Sequence, residues 1–222
     1  MSVSIPSVIS YSVAIAATLL LSAYFFREYA TKRLRASLAW AIGLLLYAFG
    51  QISDLSVDIS GEVAVGKPTL AVALIFVALG MTLFYYGTSL LFFSPGSFFR
   101  EKISVIIFVI YTVFFFYLIT VLPLEGLKGA VVMPIQLGTM FPIFLVIAIL
   151  FYRVSERLSR DDPRRRTVTL VAVGWSLAAV NAFLRGTILG RSTTIDTAIL
   201  ALHAVAWLFV LYGMAIGKAA RS

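Results

Sequence analysis

Long apolar runs, each broken only by a short charged turn, dominate this chain. Each run is about 20 residues, which as a helix spans the roughly 30 Å hydrocarbon layer of a bilayer. The most polar break is Arg153–Arg166, RVSERLSRDDPRRR, which places Arg153, Arg157, Arg160, Arg164, Arg165 and Arg166 between two such runs. A segment that basic resists translocation and marks the cytoplasmic side. Of the 222 residues, 61% are hydrophobic and 13% charged. A soluble domain is about a quarter charged, so too few polar residues remain to cover a water-exposed surface.

The expected fold is therefore all-α: a polytopic integral membrane protein built as a seven-helix bundle. The spans fall at 6–26, 36–55, 68–93, 103–122, 131–152, 167–188 and 195–217. Helix is expected even for the Phe-rich fourth span, because an isolated strand cannot satisfy its backbone in lipid. Pro6 and Pro163 suit first-turn positions, with Asp162 as the N-cap before Pro163. Pro142 is expected to kink the fifth span. Glycines Gly43, Gly50, Gly80 and Gly87 suit close helix approach.

The loops after spans 1, 3, 5 and 7 hold 14 of the 18 Lys and Arg; Lys67, Lys128, Arg185 and Arg191 fall on the other side. That asymmetry puts the N-terminus outside and the C-terminus in the cytoplasm of a multi-pass cell-membrane protein. The partner implied by the net charge of +8 is the bilayer, with anionic inner-leaflet lipids meeting the Arg153–Arg166 loop, rather than nucleic acid. The N-terminus has no positive charge ahead of its first apolar run, so the first span is expected to stay. No soluble domain is expected at either end, so a signal would need a separate protein partner or a homo-oligomer. Cysteine is absent, which removes disulfides, thiolate metal sites and Cys catalysis. One Asn and two Gln complete a composition of the thermophile kind.

Residues 1–93 and 131–217 can be set on each other as a parallel repeat, with span 4 as linker, the alternative being chance matches between apolar helices. Pro6 meets Pro134, Tyr24 meets Tyr152, and Glu28 meets Glu156. Allowing for the longer basic loop, Trp40 meets Trp175 and Tyr86-Gly87 meets Tyr212-Gly213. With Trp175-Ser176 in span 6 and Ile195-Asp196-Thr197 opening span 7, this three-one-three arrangement resembles SWEET sugar transporters and microbial rhodopsins. The resemblance implies an architecture and no activity. A rhodopsin holds retinal through a lysine in its last helix; Trp207 and Leu208 occupy that region here, and all five lysines are expected outside the spans. No cofactor is expected, and covalent retinal is excluded. The Pro-Gln pairs of SWEET relatives are missing.

Polar groups inside spans are costly and point to function. Gln51 and Asp54 lie near the outer end of span 2, Gln136 and Thr139 near that of span 5. Asn181 and Arg185 share a face of span 6, and His203 is about two turns into span 7. Together they outline an outward-facing polar vestibule, with Arg185 drawing an anion and Asp54 as its salt-bridge mate. The blander alternative makes them interhelical hydrogen bonds and headgroup-level charges. Tyr47, Tyr85, Tyr86, Trp175, Trp207 and Tyr212 form either a pocket floor or bundle core. One histidine cannot supply two axial haem ligands. Neither a zinc motif, a nucleophile elbow nor a phosphate loop is present. Asp161-Asp162 reads as helix capping rather than half of a prenyltransferase motif. The expected protein is no enzyme. It binds a small solute as a transporter or channel-like carrier. The alternatives are a seven-helix receptor or a structural subunit.

Overall fold

A computed structural model of the chain describes residues 5–124, 126–188 and 192–219. Arg191 and Arg221, which enter the charge asymmetry, lie outside the described residues, as does Glu125. The described chain is helical throughout, with no strand among the described residues. Its elements are α1 (Ile5–Lys32), α2 (Arg35–Ser60), α3 (Glu62–Val65), α4 (Lys67–Phe92), α5 (Phe98–Val121), α6 (Leu127–Ile135), a π-helical turn (Gln136–Met140), α7 (Phe141–Arg157), α8 (Pro163–Ile188) and α9 (Thr193–Ala219). Seven helical stretches are long and apolar enough to cross a membrane, α6, the π turn and α7 together making the fifth.

The helices overrun the apolar runs that announce them. α1 continues six residues past Phe26, through Arg27 and Glu28 to Lys32. It stops where Arg33 takes a left-handed conformation, φ 55°. α5 begins at Phe98 rather than 103, because Ser97 caps it: its Oγ accepts from the Arg100 N–H at 3.2 Å. Arg100, Glu101 and Lys102 are thus helical, and lysines expected between helices instead sit at helix ends. The Asp162 cap before Pro163 is observed, with Oδ1 accepting from the Arg164 N–H at 2.8 Å. Ser192 opens α9 in the same way.

The chain divides into two compact units. In the first (residues 18–132), α2 packs along α4 through the expected glycines. A Cβ on Gly43 would stand 3.2 Å from the Gly80 carbonyl, and one on Gly50 2.6 Å from Val77. One on Gly87 would strike Trp40 and lie 3.2 Å from the Ala36 carbonyl. Ser22 of α1 donates to the Ala41 carbonyl at 2.8 Å. At one end of this unit Glu62 accepts from the Gly126 N–H at 2.6 Å, and Lys67 donates to the Leu122 carbonyl at 2.9 Å. α5 leans on α4, where Tyr85 donates to the Phe99 carbonyl at 2.9 Å. Within α5 only Ser104 and Phe115 are buried among the described residues.

The second unit (residues 4–17 and 133–222) holds the first half of α1 with α7, α8 and α9. Gly174 meets Val210 and Gly213 meets Val171, each with a hypothetical Cβ within 3.1 Å of a backbone nitrogen. The alignment that pairs Trp40 with Trp175 also pairs Ala36 with Val171, so Gly87 and Gly213 touch matched positions, each within its own unit. Just before Pro142, where a kink is expected, the helix widens into the π turn, closed by the Phe141 N–H bonding to the Gln136 carbonyl. Pro142 offers no N–H to the carbonyl four residues back, and a wide turn accommodates the mismatch.

Candidate functional site

Buried polar side chains of the second unit come from α1, the π turn, α7, α8 and α9. Arg185, near the end of α8, is 5% exposed. Its Nη2 donates to the Tyr11 hydroxyl at 3.0 Å, and its guanidinium carbon lies 5.9 Å from the centre of the Tyr11 ring. Tyr11 comes from α1 and was not singled out by the sequence; a lone tyrosine in an apolar run gives no signal of its partner.

One turn back along α8, Asn181 is clasped to α9. Its Nδ2 donates to the Ile199 carbonyl at 2.5 Å, and its Oδ1 lies 3.2 Å from Nδ1 of His203. Ile199 and His203 are successive turns of α9, so one amide spans both. Asn181 and His203 are each 2% exposed. The next turn of α9 brings Trp207, whose ring centre is 6.3 Å from His203. Trp207, Trp175 and Phe144 then close an aromatic triad, with centroids 5.2 to 6.2 Å apart. Both indoles are fully buried, so the triad is packed core under the polar residues.

The π turn faces α8 across Gly186. A Cβ there would stand 2.5 Å from Leu137 Cγ and 3.2 Å from Gln136 Cβ. Gln136 and Thr139 are buried. Thr82, Thr88 and Thr187 return their hydroxyls to the carbonyl four residues back, as helical threonines do. The Thr139 hydroxyl finds no hydrogen-bond partner among the described residues.

Of the expected set, Gln136, Trp175, Asn181, Arg185, His203 and Trp207 fall in the second unit. Gln51 and Asp54 lie on α2 in the first. Gln51 is 5% exposed, and neither amide atom meets a partner among the described residues. Tyr47 and Tyr85 are buried, whereas Tyr212 is 56% exposed and leaves the aromatic set. No group of three or more His, Cys, Asp or Glu that could hold a metal occurs among the described residues. The chain matches no protein-family model, and no curated protein or solved structure is significantly similar to it.

Proposed function

We propose that this chain is a multi-pass carrier in the cell membrane, N-terminus outside, binding a small anionic solute at Arg185 in the second unit. The carrying observation is Arg185 itself. It is a permanent cation, buried near the end of an apolar helix and held by a hydroxyl from a different helix. Ionisable groups at such positions are costly and line solute paths. Arg offers a planar array of donors suited to carboxylate or phosphate. Buried Gln136, Thr139, Asn181 and His203 give further donors and acceptors in the same unit. The fifth span, interrupted by its π turn and Pro142, is where a helix wall yields most readily. Matched helix contacts at Gly87 and Gly213 support the parallel repeat in such a carrier.

The test is uptake into proteoliposomes holding the full chain, with acetate, chloride and phosphate as labelled probes. The expected result is saturable flux of at least one probe, cut at least tenfold by Arg185→Gln. Binding with no flux turns the reading to a receptor. A specific observation favours that second reading: α8, which bears Arg185 and Asn181, is preceded by the basic connector, whose Arg160 and Arg164 are exposed. No binding of any probe overturns both.

A further inference from the structure

The chain holds a single histidine, and its two ring nitrogens are not equivalent. The Ile199 carbonyl only accepts, so the Asn181 atom 2.5 Å away is the donating Nδ2. The other amide atom, Oδ1, only accepts, and it faces Nδ1 of His203 at 3.2 Å. Nδ1 therefore carries a hydrogen, and the lone pair of the neutral ring belongs to Nε2. This polarity is imposed by a helix carbonyl, which cannot turn over.

We propose that His203 is the proton site of the carrier: Nε2 takes up one proton as the anion settles and returns it as the anion leaves. The proposal rests on the anion reading of Arg185 above. The groups around His203 fit it. On α8, which packs against α9, the only charge near Asn181 among the described residues is Arg185, one turn away. The π turn, which packs against α8, carries neutral Gln136 and Thr139, and the Tyr11 hydroxyl of α1 holds Arg185. On α9 itself Asp196 lies two turns nearer the helix start. An imidazolium facing Asn181, with a guanidinium one turn along the same helix, is unfavourable in an apolar bundle, and an incoming anion supplies the missing negative charge. The Nδ1–H bond to Asn181 survives in both states, because an imidazolium donates from both nitrogens. Proton binding thus leaves the Asn181 clasp in place. One proton and one monoanion sum to zero charge, so the joint step is indifferent to membrane voltage.

A single histidine makes the test direct. The full chain, labelled with 15N-histidine in lipid nanodiscs, is titrated from pH 5 to 8 with and without acetate, chloride or phosphate. At pH 8 the expected spectrum is one neutral imidazole protonated at Nδ1; a ring protonated at Nε2 overturns the proposal. A bound anion is expected to raise the His203 midpoint by at least one pH unit, equal to tenfold tighter anion binding to the protonated form. His203→Asn keeps a donor toward Asn181 and removes Nε2; its anion binding is expected to lose pH dependence across this range. Arg185-dependent binding of a probe with an unmoved His203 midpoint sinks the proton site and leaves the anion reading standing. Failure of all three probes to bind removes the anion reading and this inference with it.

Discussion

The guanidinium of Arg185 and the hydroxyl of Tyr11 lie 3.0 Å apart although 174 residues separate them along the chain. Tyr11→Phe keeps the ring beneath the guanidinium and removes only the acceptor. A hydrogen bond to a charged group contributes about 1.5–3 kcal/mol. Unfolding in mixed detergent is expected to show a loss in that range, and anion affinity to fall less than it does in Arg185→Gln. A variant as stable as the parent means the pair contributes nothing to the fold.

Gly174 tests helix approach within the second unit. A methyl group there meets Val210 Cγ2 at 2.6 Å and the Val210 nitrogen at 2.8 Å. Backbone cannot yield as a side chain does, so Gly174→Ala is expected to cost about 1–3 kcal/mol. A methyl group on Gly129 would meet nothing within 4 Å, and that glycine has no left-handed φ; Gly129→Ala is the neutral control. Equal melting temperatures for the two variants would contradict this packing.

The start of α8 depends on pH. The Asp162 carboxylate is held below its ordinary range, chiefly by its side-chain hydrogen bond from Arg164, then by the Arg164 backbone N–H. A lowered folded-state value means the cap contributes above the unfolded carboxylate range. It is lost as pH falls through the lowered value. Hydrogen exchange of the Arg164 amide is expected to stay slow at pH 5 and to speed up, relative to Asp162→Asn, only in stronger acid. A loss already near pH 5 contradicts the assignment.

Because the chain has no cysteine, single cysteines report topology cleanly. Ser60→Cys, at the end of α2, is expected to react with an impermeant maleimide added outside cells. Ser159→Cys, in the basic connector, is expected to react at least tenfold less until the membrane is opened. Labelling of Ser159→Cys from outside with Ser60→Cys protected reverses the orientation proposed here, and labelling of both contradicts the three spans between them.

Hydropathy located every long helix, since a run such as 103–122 admits little else. It misjudged ends, because Ser97 and Arg33 act through single hydrogen bonds and a single dihedral that no average registers. Buried polar residues of the candidate site were legible where a polar type stood alone in a greasy stretch, as Asn181, Arg185 and His203 do. Tyr11 was not, since tyrosine is equally at home in core and interface. The Thr139 hydroxyl was not either: its isolation comes from a π turn, and the sequence offers only Pro142 as a hint of it.

α5 buries two of its side chains and leaves a long row of Val, Ile and Phe facing outward. Selection acting on packing has little to grip along such a helix. In a deep mutational scan its outer face should read as nearly blank, accepting one oily residue for another and refusing only charge. Ser104 and Phe115 would stand out against that background as the two positions where shape still matters.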